Sequence, residues 1–289
     1  MSNPILRTES LSLVYGKGTP FEKQAVKNVS IEINRGEVIG VIGHTGSGKS
    51  TLMQMLNGLI KPTSGKVFLD GKDIHADKKS LRNVRFRVGL VFQYPENQLF
   101  EETVRRDIAF GPHNMGLPEE AIEKRVKSAA AFAGLKPELL DRSPFDLSGG
   151  EKRRAAIVGV IAMDPEVLIL DEPTAGLDPM GREDLLSQID AYHKSRNNTV
   201  LLVSHSMEDI AGIADRVLVM NHGECVMLDT TQNVFSKAAE LEKIGLRIPQ
   251  ITKITSELRA KGVPLSEGIL TVSEAFEEIR AILKKEGRL

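Results

Sequence analysis

Cysteine is nearly absent. The chain of 289 residues has one, Cys225, so no intrachain disulfide can form and a reducing compartment is expected. Long apolar runs are absent too. None approaches the roughly 18 residues that a membrane-spanning helix requires, so any membrane role is expected to come through a partner. The opening residues, Met-Ser-Asn-Pro-Ile-Leu-Arg-Thr, lack an apolar stretch of the secretory kind, and no such signal is expected. An excess of one charge is also missing: the net charge is −1 and no end is strongly basic. That removes the electrostatic footprint of a nucleic-acid binder, and no nucleic-acid partner is expected. There is no internal repeat and no low-complexity tract. What is present, 41% hydrophobic and 27% charged residues, suits an ordinary soluble globular protein of one large domain or two smaller ones.

The most informative stretch is Gly43-His44-Thr45-Gly46-Ser47-Gly48-Lys49-Ser50-Thr51. An apolar run, Val38-Ile39-Gly40-Val41-Ile42, precedes it and reads as a buried strand. Leu52-Met53-Gln54-Met55-Leu56 follows and reads as the start of a helix. Strand, G-x-x-x-x-G-K-[ST], helix is the setting a phosphate loop requires. Glycines let backbone N–H groups turn inward onto phosphate oxygens. The helix begins at the loop, so its positive end faces the anion. Lys49 can reach the β- and γ-phosphates, and the Ser50 hydroxyl can ligate Mg²⁺.

Residues 5–14 and 29–33 read as strands near the N-terminus. In the second, Ser30 and Glu32 alternate with Val29, Ile31 and Ile33, which suits a sheet with one wet face. Tyr15, at the end of the first, is either a platform on which adenine stacks or a plain strand-end tyrosine. Four apolar runs read as buried parallel strands: 38–42, 88–92, 167–170 and 200–203. They end respectively in the phosphate loop, at Gln93, at Asp171-Glu172 and at Ser204-His205. Open α/β sheets bind ligands outside the carboxyl ends of their strands, so these four polar stations are expected to converge. Asp171 stands where an acid holds Mg²⁺ through its water shell. Glu172 can accept a proton from an attacking water. His205 can contact the γ-phosphate or orient that water, or is structural.

Residues 94–166 are mostly helical in pattern and long enough for an inserted subdomain. Pro118-Glu119-Glu120 opens a helix with Ile122, Val126, Ala129 and Ala133 on its apolar face, and Gly134 closes it. Further on, Ser148 and Glu151 form an S-x-x-E capping box before an apolar-rich helix over 155–163. Gly149 and Gly150 bare backbone N–H groups at that positive helix end, a second anion site. One nucleotide has one γ-phosphate, which the first loop already cradles. The second site therefore suits the nucleotide of another molecule.

Over about residues 4–230 these motifs, in this order, resemble the nucleotide-binding subunit of ABC transporters. GHTGSGKST at 43–51 is similar to Walker A, Gln93 to the Q-loop and LSGGE at 147–151 to the ABC signature. VLILDEPT at 167–174 is similar to Walker B, Ala175-Gly176-Leu177-Asp178 to the D-loop, His205 to the switch histidine and Tyr15 to the adenine-stacking aromatic. Many members carry glutamine where this signature has Glu151, and the capping box tolerates either. The resemblance implies an α/β P-loop NTPase fold with a mostly parallel central sheet, antiparallel strands near the N-terminus, an inserted helical subdomain and a C-terminal helical extension. It implies ATP and Mg²⁺, with Glu172, His205 and Gln93 in catalysis and Ser50, Gln93 and Asp171 at the metal. It also implies a head-to-tail dimer, in which ATP held on one phosphate loop meets Ser148, Gly149, Gly150 and Asp178 of the mate.

A narrower resemblance is to the ATPases of energy-coupling factor transporters, which import vitamins and metal ions. It rests on Gln93-Tyr94-Pro95-Glu96-Asn97-Gln98-Leu99-Phe100, on His44 and on the insertion Gly18-Thr19-Pro20-Phe21-Glu22. The context of Gly176 favours the second, A-prime, ATPase. This implies a related ATPase subunit, or a second copy, as mate. It implies a transmembrane coupling subunit engaged by residues 93–100, a substrate-capture membrane subunit engaged indirectly, and a peripheral position on the cytoplasmic face of the membrane. Leu99 and Phe100 lie in the coupling groove on that reading and in the core on the other.

Residues 1–230 are thus expected to form the ATPase domain and 231–289 a helical extension. Helical spacing there joins Val234, Phe235, Ala238, Leu241 and Ile244, then Ile251, Ile254 and Leu258. A capping box at Thr271 and Glu274 precedes Phe276, Ile279 and Leu283, so three amphipathic helices are expected. The basic residues Lys78, Lys79, Arg82, Arg85 and Arg87 read as a solvated face. Cys225, after Asn221-His222-Gly223, reads as packing in a hairpin. Two rivals fit less well. A soluble ABC protein of DNA repair or translation would split or double the cassette, and a P-loop kinase would leave LSGGE unexplained.

Overall fold

A computed structural model of the chain describes residues 4–77 and 80–285. Strand β1 (Leu6–Tyr15) pairs antiparallel with β2 (Lys23–Val29) and, at its start, with β3 (Glu32–Ile33). Strand β4 (Val38–Ile42) has every residue buried and leads through the glycine-rich loop into α1 (Lys49–Leu56). Strands β5 (Ser64–Leu69) and β6 (Lys72–Asp73) complete the antiparallel sheet. Helix α2 (Ser80–Arg87) runs directly into β7 (Val88–Val91). Three helices follow, α3 (Val104–Asn114), α4 (Glu119–Phe132) and α5 (Gly149–Ile161). The chain then returns through β8 (Val167–Asp171), α6 (Pro179–Arg196), β9 (Thr199–Val203) and α7 (Met207–Ile213). A hairpin of β10 (Arg216–Asn221) and β11 (Glu224–Thr230) precedes α8 (Thr231–Ser236), α9 (Ala238–Lys243), α10 (Gln250–Ala260) and α11 (Val272–Lys285).

The second sheet has the order β11-β10-β4-β9-β8-β7. Its four pairings from β10 to β7 run parallel, and only the β10/β11 pair is antiparallel. A parallel sheet needs cover on both faces, which is why β4, β7, β8 and β9 are unbroken apolar runs. Side chains alternate between two cores. Val38 and Ile42 of β4 join the core under the helices, while Ile39 and Val41 join the core between the sheets. Gly40 lets α7 approach closely: a Cβ there would come within 2.4 Å of Ile210 Cγ2. The phosphate-loop strand thus sits mid-sheet, flanked by β10 and β9, and all the parallel strands end on one edge.

The four buried strands lie where the sequence puts them. The N-terminal strand expected at 29–33 does not: the chain is strand over Lys23–Val29 and again only over Glu32–Ile33. Val29, Ile31 and Ile33 are all buried as the alternation requires. The ladder is broken between them, with Asn28 at φ 49° just before the break. The helix expected at 155–163 starts six residues earlier, at Gly149. Four helices stand where three were expected after residue 230. Ile254 and Phe276, placed on apolar faces by spacing, are 52% and 59% exposed; Ile279 packs inward as expected, joined by Ala275 and Ile282. The basic residues are braced rather than merely solvated. Arg82 and Arg85 donate to the carbonyls of Asn114 and Gly58, and Arg87 pairs with Asp70 and Glu166. Lys78 and Lys79 lie outside the described residues. Cys225 is half-buried in the β10/β11 hairpin, turned by His222 and Gly223 at φ 46° and 83°, and burial pushes its thiol up to about 11.

Candidate active site

The loop after β4 is bent by glycines. Gly48, at φ 102°, is the cap of α1, and a Cβ there would meet the Ala25 carbonyl oxygen at 2.4 Å. Gly46, at φ 81°, has open space on its Cβ side. The conformation therefore asks for glycine at both positions, one for sterics and one for the backbone alone. Ser47 is fully buried. Lys49 is 6% exposed, and its Nζ donates to the carbonyls of Gly43 at 2.7 Å and His44 at 3.2 Å, so the ammonium lies under the loop. Burial pulls its pKa down, opposed by Glu172 and Asp171. His44 Nε2 and Asn221 Oδ1 are 3.0 Å apart, which ties the loop to the end of β10. Thr45 and Ser50 flank this core of the loop, and the Thr51 hydroxyl lies 3.4 Å from the Tyr15 hydroxyl. The Tyr15 ring, 43% exposed, therefore stands beside the start of α1.

Two neighbouring strands bring the other stations to the same place. Asp171 ends β8 and is 5% exposed. Burial raises its pKa, and the Ser50 hydroxyl, Lys49 and His205 pull it back. Glu172 follows, 8% exposed and at φ 52°, a left-handed backbone that costs a glutamate about 1–3 kcal/mol. Its N–H donates to the Val203 carbonyl at 3.1 Å, which holds it against β9. Burial lifts its carboxyl to about 7, against the pull of Lys49. His205 Nε2 stands 3.2 Å from Glu172 Oε1. Burial, then Lys49, lowers the His205 pKa, which favours the neutral ring at neutral pH. A half-ionised carboxyl beside a neutral imidazole can accept a proton and hold it.

The remaining expected site residues fall in a different place. Ser148 caps α5 in a closed capping box: its Oγ accepts from Glu151 N at 3.4 Å, and Glu151 Oε2 accepts from Ser148 N at 2.9 Å. The Ser148 hydroxyl also donates to Glu151, which holds that carboxyl below its ordinary range. Asp178 caps α6, accepting from Gly181 N at 2.7 Å. Gly149 begins α5, while Gly150 and Asp178 line a cavity of about 310 Å³ with Arg154 and Gly176. Gly43, His44, Thr45 and His205 line another of about 470 Å³, and the two share no lining residue. Gln93, just past β7, is exposed. The segment after it splits the pair treated together above: Leu99 is 9% exposed and in the core, while Phe100 is 58% exposed and meets Phe110 edge-on at 4.9 Å.

One residue and one segment near this site escaped the sequence reading. Arg153 is 5% exposed and forms a two-pronged ion pair with Glu96, at 3.0 and 2.7 Å. The signal was available: Arg153, Ile157 and Ile161 are spaced four apart and all face inward, and a charge on a buried face demands a partner. The segment 245–250 also lines the His205 cavity, and Gln250 N donates to Glu208 at 3.3 Å. Nothing in its local pattern marks that.

The ABC transporter family profile matches residues 26–175. The chain is 56% identical over 280 residues to the energy-coupling factor transporter ATP-binding protein EcfA2 of Clostridium perfringens, covering 96% of this chain and 98% of that protein. It is 53% identical over 279 residues to the EcfA2 protein of Caldanaerobacter subterraneus, with the same coverage. Among solved structures it is similar to cbiO1 from Clostridium perfringens, described as part of the ABC transporter complex cbiONQ. The TM-score is 0.74 and the identity 39%, over 88% of this chain and 99% of that one. It is also similar to the ATP-binding cassette MJ0796, solved as a dimer bound to ADP and Pi, with TM-score 0.71 and 26% identity over 78% of this chain and 98% of that one. By fold, by ordered motifs and by near full-length identity, the chain belongs to the ABC transporter family, among the energy-coupling factor ATP-binding proteins.

Proposed function

We propose that the chain is one of two ATPase subunits that power uptake of vitamins or other micronutrients, metal ions included, through an energy-coupling factor transporter. One observation carries the reading. The phosphate loop, Asp171, Glu172 and His205 meet on one sheet edge, while Gly150, in the helix that Ser148 caps, and Asp178 line a separate cavity. Each chain then holds two halves of two sites, and a mate completes both. That mate is a related ATPase or a second copy.

Loop N–H groups from 43–51 cradle the phosphates of ATP, Lys49 neutralises them, and the Tyr15 ring carries adenine. Ser50 and Asp171, with Gln93, would hold Mg²⁺; the buried Asp171 Oδ1 has no hydrogen-bond partner among the described residues, which fits a cation there. Bound magnesium would neutralise charge on the β- and γ-phosphates. Glu172 accepts the proton of the attacking water, and His205 orients that water or the γ-phosphate. From the mate, Ser148, Gly149, Gly150 and Asp178 close over the same phosphate.

Residues 1–230 form the ATPase domain, with the helical subdomain about 94–166, and 231–289 form the extension that helps hold the two ATPases together. Tyr94, Phe100 and Phe110, all about half exposed, offer an aromatic surface to the transmembrane coupling subunit. The substrate-capture subunit is engaged through it. Among the described residues no helix is long and apolar enough to cross a membrane, which supports a peripheral place on the cytoplasmic face. The test is purification of the chain with its membrane partners, followed by ATP turnover and uptake. Lys49→Ala is expected to abolish both. Recovery of nucleic acid or ribosomes in place of an integral membrane protein contradicts the reading.

A further inference from the structure

One side chain holds the Glu172 segment and the 93–100 segment together. Arg153 Nε donates to Glu96 Oε2 at 3.0 Å and Nη2 to Glu96 Oε1 at 2.7 Å. Its Nη1 donates to the carbonyls of Pro173 at 3.3 Å and Ala175 at 2.5 Å. Pro173 follows Glu172 directly, and Ala175 begins the stretch that ends in Asp178. Glu96 sits in a one-turn helix, Pro95–Gln98, that starts from Tyr94. Burial works against the Glu96 carboxylate, yet the bonds from Arg153 hold its pKa below the ordinary range.

The two ends of this bridge share a second property. Tyr94 at φ 54° and Glu172 at φ 52° are both non-glycine residues in the left-handed region. Such residues keep that backbone only where surrounding contacts hold it. A buried guanidinium cannot lose one partner cheaply, because the unpaired charge and the freed acceptors both go unsatisfied. Movement of Glu96 therefore has to be followed by Arg153 and by the Pro173 and Ala175 carbonyls.

We propose that Arg153 is a positioning residue that makes the placement of Glu172 and of the 175–178 segment depend on the state of the 93–100 groove. It acts through Glu96 on one side and two carbonyls on the other. The inference rests on the function proposed above, in which the groove receives the membrane subunit and Glu172 is the base.

Tryptophan is absent from the chain, so a Tyr94→Trp substitution in the full-length protein reports from the groove alone. Adding ATP and magnesium is expected to change its emission, because coupling between two sites is reciprocal. Adding Glu96→Gln, which keeps the volume and removes the charge pair, is expected to abolish most of that change. ATP affinity should stay within about threefold, since Glu96 lines neither the phosphate-loop cavity nor the Gly150 cavity. Arg153→Lys, which keeps the charge and loses the fork, should behave alike. Should that variant fail to fold, Glu96→Gln carries the test alone. In the assembled transporter Glu96→Gln should lower kcat for ATP about tenfold with KM unchanged. An undiminished emission change in Glu96→Gln, a reporter that binds ATP with no emission change, or a kcat equal to the parent's overturns the inference and leaves the proposed function standing. A parent that binds no ATP instead overturns that function.

Discussion

Glu172 combines a strained backbone, near-complete burial and a histidine at 3.2 Å. Its carboxyl titrates at about 7, so the form that accepts a proton is depleted below that pH. Turnover should therefore rise between about pH 6 and pH 8 and then level; a rate flat across that window would assign the base elsewhere. Glu172→Gln should keep ATP binding and slow hydrolysis by about 10²–10⁴-fold, roughly 3–5 kcal/mol of barrier. The same shift predicts a stability effect of opposite benefit. Folding favours the protonated acid, so ionising Glu172 destabilises the fold progressively as pH rises from its ordinary 4.5 to about 7. Glu172→Gln should thus be more stable than the parent above pH 7, by an extra amount on the order of 3 kcal/mol that vanishes below pH 4.5, read from paired denaturation curves. Lys49 was legible from its place in the phosphate-loop motif, and Asp171, Glu172 and His205 because each stands at the end of an apolar run. The strain at Glu172 and the pairing of Arg153 were not, since both come from contacts between segments distant in sequence.

At the scale of elements, unbroken apolar runs made β4, β7, β8 and β9 readable. Strand β10 carries the same kind of run, Val-Leu-Val-Met, ending at Asn221; the sequence marked only the hairpin after it, and not the contact of Asn221 with His44, which joins distant segments. Strand β2 buries only Val26 and Val29, too little for an edge strand to show its period. The capping box of α5 was readable from four residues alone. Ser148→Ala should cost about 1 kcal/mol through the lost cap, measurable by denaturation of the isolated chain. On the proposed function, the 93–100 segment separates packing from docking. Leu99→Ala should destabilise the chain by about 2–5 kcal/mol. Phe100→Ala should leave stability within about 0.5 kcal/mol and lower uptake per ATP hydrolysed. In the C-terminal helices the same contrast holds. Phe235→Ala, at a fully buried position, should cost about 3–5 kcal/mol, and Phe276→Ala, 59% exposed, almost nothing. Helical spacing treated these two phenylalanines alike, because period reports a face and not what lies against it.

The molecule as a whole presents the phosphate loop and His205 in one cavity, and Gly150 of the capped helix start with Asp178 in another. A single chain on this account binds nucleotide and cannot complete the ring of groups around its γ-phosphate. The measurement that tests this most directly is the ATP turnover per chain of the purified protein, followed from dilute to concentrated solution and then with its mate added. Turnover per chain should be slight when dilute and rise as pairs form, and Ser148→Arg in the mate should remove the gain while leaving ATP binding intact. A dilute chain, monomeric by sedimentation, that hydrolyses ATP at the full rate of the assembly would contradict the account.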